Sequence, residues 1–201
     1  MEPKWQRISF MPATPLGEDG RRVTGSAAHI ALSRRAAAEG MVLLKNENET
    51  LPLKRGSRVA VFGKAQADYV KGGGGSGDTT VAYVCSLAQG LRMKQDEGKI
   101  EIFEPLERFY AEDVQAQYAA GATPGKTREP ILDDTLVQQA RAFTDTAVIT
   151  ICRFSGEDYD RTGQPHDGDY FLSFEEEHMV RKVLAAFPRV AVVLNTGGMM
   201  D

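Results

Sequence analysis

The stretch Thr146-Ala-Val-Ile-Thr-Ile-Cys152, running straight into Arg153-Phe-Ser-Gly-Glu157-Asp158-Tyr159-Asp160-Arg161, decides how this chain is read. Its first half is apolar and rich in β-branched residues, the composition of a strand buried on both faces. Its second half is densely polar and continues through Gly163, Pro165, Gly168 and Asp169. A charged loop leaving the end of a buried strand is where α/β proteins place their chemistry. The candidate site therefore begins here.

Working outward, the same alternation recurs. Arg58-Val-Ala-Val-Phe-Gly63, Lys99-Ile-Glu-Ile-Phe103 and Arg189-Val-Ala-Val-Val-Leu194 read as further strands. Helices are predicted over 27–39 behind the N-cap Ser26, over 81–94 with Tyr83, Leu87 and Leu91 at spacing four, and over 107–121 and 133–143. A last one opens at the capping box Ser173-Phe-Glu-Glu176 and is expected to turn Met179, Val180, Val183, Leu184 and Phe187 to one face. Met41-Val-Leu-Leu44 reads as a further short helical or extended piece, and Lys64–Thr80 as a loop.

Strand alternating with helix predicts an α/β fold, a mostly parallel sheet with helices on both faces and right-handed crossovers. Residues 1–25 form an irregular lead, broken by Pro12, Pro15, Gly17, Gly20 and Gly25, and 26–201 the domain itself. The chain stops just beyond the strand exit Asn195-Thr-Gly-Gly198, where a doubly wound domain normally continues. The domain is expected to be truncated at its C-terminal end.

Composition narrows the function. With 201 residues, 42% hydrophobic and 26% charged, the chain has the make-up of a soluble globular protein. A net charge of −4 and scattered Lys and Arg argue against a nucleic-acid partner. No apolar run suits a membrane span or a signal peptide. Cys85 and Cys152 form neither a disulfide framework nor a metal-ligand pair, and both are expected as buried free thiols. The expected compartment is the cytoplasm, with no cofactor and no metal.

Three chemical motifs are weighed against blander readings. Glycines 72, 74 and 77 satisfy G-x-G-x-x-G, but a dinucleotide loop needs them directly after the first strand, which ends at Gly63. A loop whose bare backbone closes over a site, or a flexible surface loop, fits better. Asp158, Asp160, Thr162, Gly163 and Asp169 approach calcium-loop spacing, yet no Glu occupies the twelfth position and a strand precedes the loop. His29, His166 and His178 share no metal or triad spacing, and there is no G-x-S-x-G elbow.

Carboxylates remain. Asp158 and Asp160 would raise the pKa of Glu157, whereas Arg153 and Arg161 would lower it, and spacing does not decide between them. A raised pKa would suit a glycosidic acid. On spacing alone a solvated charged loop explains these residues better.

Arg35-Ala-Ala-Ala-Glu39-Gly-Met-Val-Leu-Leu-Lys45-Asn46, Leu51-Pro-Leu53, the strand Val59–Gly63, the glycine run Gly72–Gly77, Ser155-Gly-Glu-Asp-Tyr-Asp-Arg161 and Val192-Val-Leu-Asn195-Thr-Gly197 occur in that order. The order resembles the second, α/β sandwich domain of glycoside hydrolase family 3, in β-glucosidase-like members. The resemblance implies a retaining exo-acting hydrolase of terminal β-linked sugars, whose (β/α)₈ barrel supplies an Asp nucleophile from elsewhere in the polypeptide. It implies Glu157 as the general acid/base, Gly73, Gly74, Gly75 and Ser76 as pocket rim, and Asp160 and Arg161 as supports of the loop. Asp158 stands where the family usually has glycine.

Nothing in these residues resembles the barrel. The family's common order puts the barrel first and links it by a helical tail into the Ala-rich helix. Residues 1–25 do not resemble that tail, and the sandwich domain is therefore expected to come first with the barrel after residue 201. The fragment alone should then be inactive. The rival reading is a non-catalytic sugar-binding or interaction module derived from such a domain.

Overall fold

The computed structural model describes residues 25–77, 83–159 and 161–201. They belong to two compact units, Met1–Lys45 with Val81–Tyr83, and Asn46–Thr80 with Val84–Asp201. In the first unit, α1 spans Ala27–Glu39, and the Ser26 side chain accepts from His29 N at 3.3 Å as the N-cap. Alanine-rich composition favours this helix locally. Residues 41–44 adopt no regular structure.

The second unit is built on four parallel strands: β1 (Ser57–Phe62), β2 (Ile100–Ile102), β3 (Thr146–Arg153) and β4 (Arg189–Thr196). Their spatial order is β2-β1-β3-β4. All eight residues of β3 are buried, as a central parallel strand covered on both faces requires. β1 and β3 pair in unbroken register, Ala60 with Ala147 and Phe62 with Ile149.

The two faces have separate cores. Ala60, Phe62, Ile149 and Ile151 pack with α3 (Glu104–Ala119), α4 (Asp134–Phe143) and α5 (Phe174–Ala186), chiefly through Leu106, Tyr110, Val137 and Met179. Val59, Val61 and Val148 pack with Leu87 and Leu91 of α2 (Leu87–Asp96) on the other face. These faces follow from the period of two along each strand. The chain leaves β1 toward one face and β3 toward the other. The crevice beyond the carboxyl ends of β1 and β3 is thus a topological switch point, where open α/β sheets bind ligands.

Several expectations are corrected. The helix expected from 81 starts at Leu87, because Ser86 caps it in a reciprocal capping box with Gln89. Val81 lies outside the described residues, and Tyr83 precedes the helix. The helix expected from 107 begins at Glu104, with proline in its first turn. Leu184 is 56% exposed, so the buried stripe of α5 is Met179, Val183 and, just past its end, Phe187. Cys152 is buried as expected; Cys85, which immediately precedes the N-cap Ser86, is exposed.

Candidate functional site

At the end of β3, Arg153 turns inward. Its guanidinium is 3% exposed and grips Glu176 with two parallel bonds, Nη1 to Oε1 and Nη2 to Oε2, both 2.7 Å. It also donates to the carbonyls of Asp169 at 2.6 Å, Cys152 at 2.8 Å and Phe171 at 3.3 Å. Glu176 in turn accepts from Ser173 N at 3.0 Å, closing the capping box of α5. A buried ion pair is tolerable when its remaining donors and acceptors are satisfied, and this one ties the strand end, residues 169–173 and α5 into one rigid support.

From that support the chain turns outward through residues 154–159. Phe154 and Tyr159 meet edge to face at 5.4 Å between ring centres, and Tyr159 N donates to Gly156 O at 3.2 Å. Asp158 sits at φ 63°, in the left-handed region. A Cβ is unfavourable there and Asp among the better tolerated residues. That conformation explains why a glycine suits this position.

Glycine run and acid loop come together. Gly74 and Gly156 form an isolated parallel bridge, with Gly74 N donating to Ser155 O at 2.9 Å and Glu157 N to Gly74 O at 3.3 Å. The approach depends on missing side chains: a Cβ on Gly156 would lie 2.9 Å from Gly74 Cα. On Gly75, at φ +74°, a Cβ would lie 2.5 Å from Glu157 Cβ. Gly73 passes close by as well, its own ideal Cβ position 3.1 Å from Ser155 O.

Glu157 is exposed, and its Oε2 accepts from Ser76 N at 2.9 Å. The Ser76 backbone N–H, then its hydroxyl, hold the carboxyl below its usual range. Neither arginine is the cause, since Arg153 is spent on Glu176 and Arg161 on Asp169. Arg161 Nε stands 2.7 Å from Asp169 Oδ1, and Nη2 donates to Asp169 O at 3.0 Å. Asp160 lies outside the described residues. Of the other candidates, Glu157 and the glycine run are in contact, while Arg161 braces the downstream half of the loop.

Beneath lies a polar network that sequence reasoning missed. Asp68, 1% exposed, accepts from Tyr118 Oη at 2.6 Å, Gly125 N at 2.5 Å, and Thr127 N and Oγ1 at 3.1 and 2.6 Å. Lys64 Nζ lies 3.2 Å from Oδ2, the oxygen that Thr127 also bonds. Burial pushes its pKa up, but Lys64 and these hydrogen bonds outweigh that and hold it below the usual value. Glu129 is buried too; its Oε2 accepts from Lys64 N at 2.8 Å, and burial raises its pKa to about 8. The Lys64–Asp68 spacing of four was visible in the sequence, but nothing marked the partners from 118–129.

A cavity of about 590 Å³ opens at the switch point, with Lys64, Glu129, Arg153, Tyr159, Arg161 and Phe174 in its wall. Glu157 is not among its lining residues. No cluster of His, Cys, Asp or Glu among the described residues could hold a metal ion. No described helix is long and apolar enough to cross a membrane.

The chain is 46% identical to β-glucosidase A of Butyrivibrio fibrisolvens over an alignment covering 98% of this chain and 26% of that protein. It is 35% identical to a β-glucosidase of Ruminococcus albus, covering 82% of this chain and 17% of that one. The chain thus spans about a quarter or less of these relatives. Among solved structures, β-glucosidase 3B of Thermotoga neapolitana in complex with glucose superposes with a TM-score of 0.75 at 32% identity, covering 87% of this chain and 25% of that one. A β-glucosidase of Paenibacillus barengoltzii gives 0.76 at 35% identity, covering 85% and 19%. Residues 41–201 match the glycosyl hydrolase family 3 C-terminal domain, and the chain belongs to that family.

Proposed function

We propose that this chain is the α/β sandwich part of a retaining exo-β-glucosidase-like enzyme, with Glu157 as its general acid/base. The observation carrying this reading is the bridge between Gly74 and Gly156, with Ser76 N on Glu157 Oε2. It presents a carboxylate at the open end of a parallel sheet, held by a glycine-rich rim through which main chain comes close. The similarity to proteins named β-glucosidases supports the substrate class.

A retaining mechanism needs two carboxyl groups about 5–5.5 Å apart. A barrel in the same polypeptide supplies the second, an Asp nucleophile that attacks the anomeric carbon. Glu157 gives its proton to the departing glycosidic oxygen as that bond breaks, then takes one from the water that releases the sugar from the Asp. Gly73, Gly74, Gly75 and Ser76 border the sugar, and Arg161 keeps the loop in register. Without the nucleophile there is no covalent step, so the described fragment is inactive alone. The enzyme acts in the cytoplasm without cofactor or metal.

The test is Glu157→Ala in the complete enzyme. Hydrolysis of substrates with poor leaving groups should fall by about 10²–10⁴-fold, the usual worth of a positioned acid. Activated aryl glucosides should suffer less, and azide should restore the second step. Near-normal turnover of poor leaving groups would remove Glu157 from this role.

A further inference from the structure

The connection at residues 121–130 lies far in sequence from the acid loop, yet one of its side chains rests on that loop. Lys126 Nζ lies 3.8 Å from the Tyr159 ring centre and 5.0 Å from that of Phe154. These two rings bracket the turn that carries Glu157, and they contact each other edge to face. Lys126 therefore touches both ends of the turn at once. An ammonium over aromatic faces is attracted by the ring quadrupole even where both partners are exposed, as Lys126 and Tyr159 are here.

The backbone presenting Lys126 is itself fixed. Its neighbours Gly125 and Thr127 are buried and donate their N–H groups to opposite oxygens of Asp68. Asp68 is in turn held by Lys64, Tyr118 and the Thr127 hydroxyl. Gly125 also packs directly under Phe154, where an added Cβ would come within 3.0 Å of the ring. Lys126 is the outward-pointing residue between two inward-pointing anchors.

We propose that Lys126 is a positioning residue, which clamps Phe154 and Tyr159 from a base set by buried Asp68 and so fixes the orientation of Glu157. The clamp on the turn stands on the geometry alone; its effect on acid catalysis rests on the role given to Glu157 above. A clamp of this kind acts on the transition state, because a misplaced acid binds substrate normally but meets the leaving oxygen badly.

The experiment compares the full-length enzyme with Lys126→Met, which keeps the stem and loses the charge, and Lys126→Arg, which restores a cation over the rings. Hydrogen exchange followed by mass spectrometry reads the amides of residues 154–159. In Lys126→Met these should exchange roughly twofold to fivefold faster, the factor expected for losing such an exposed contact. The kcat for poor leaving groups should fall about tenfold with KM within about twofold, and activated substrates should be less affected. Lys126→Arg should restore both readouts. Unchanged exchange in 154–159, or a slowing equal for every leaving group, would overturn the proposal. Glu157→Ala, run in parallel, separates the two ideas: if it spares poor leaving groups, the acid assignment fails, while the exchange data still decide the clamp.

Discussion

Ser76 N and Glu157 Oε2 are 2.9 Å apart, a main-chain donor aimed at the one carboxylate proposed for acid/base chemistry. The bond favours the charged form, so the loop at rest holds Glu157 as a base. Acting as an acid requires the opposite bias. In the role proposed for Glu157, the approach of the sugar and of the nucleophile's negative charge would supply it in the closed site.

The first prediction concerns that titration. In the absence of substrate, the Glu157 carboxyl carbon followed by NMR should titrate below the ordinary 4.5. Ser76→Ala should move the midpoint only part of the way up, because the main-chain donor remains. The sign for stability follows: the depressed pKa contributes stability above 4.5 that is lost as pH falls through the folded value. A midpoint at or above 4.5 would contradict the observed bond.

Asp158 offers a conformational test. At φ 63° it carries a left-handed cost of roughly 1–2 kcal/mol, reduced for Asp. Asp158→Gly removes that cost and adds about 0.5–1 kcal/mol of unfolded-state entropy. The expected outcome is a melting temperature unchanged or raised by a few degrees. Asp158→Val, β-branched at the same φ, should destabilise by more than about 1 kcal/mol. Equal melting temperatures for the two variants would mean that the turn is not held left-handed.

Arg153 and Glu176 form a buried, two-point pair with side chains 3% and 7% exposed. Arg153→Met strands the Glu176 carboxylate and three carbonyls, and should cost about 3–5 kcal/mol in denaturant unfolding. Arg153→Lys keeps the charge but cannot reproduce the fork, so it should recover only part of the loss. Full recovery by Lys would show that charge alone holds the pair.

Glu129 predicts a pH dependence of opposite sign. Burial first, and Glu176 nearby, raise its pKa from 4.5 to about 8 in the folded state. The folded protein then holds a proton that the unfolded chain releases between these values. Stability contributed by that proton is full below 4.5 and lost as pH rises through about 8, a span on the order of 5 kcal/mol. Glu129→Gln should flatten this slope and make the protein more stable than the parent at pH 8. Parallel stability curves for the two proteins would place the charged form in the folded state.

How far these features were legible depends on the range of the forces behind them. The four strands and the caps at Ser26 and Ser173 rest on periodicity and on bonds spanning a few residues, so composition and spacing were enough to find them. The late start of α2 was also written locally, in Ser86 and Gln89, but Tyr83 happened to extend the apolar spacing and concealed it. The juxtaposition of the glycine run with Glu157 came only through family resemblance, since residues 74 and 156 have no local relation.

What the sequence by itself determined is therefore the set of elements, the parallel α/β class and the identity of the charged loop at the end of β3. The tertiary structure alone decided what each charge faces. Flanking arginines that could have tuned Glu157 are drawn instead to Glu176 and Asp169, and a serine about eighty residues upstream becomes its partner. Asp68 likewise finds Tyr118, Gly125 and Thr127 across the fold. Hydrogen bonds and ion pairs act over about 3 Å, and which groups come that close is set by how strands and crossovers bring distant loops to one end of the sheet.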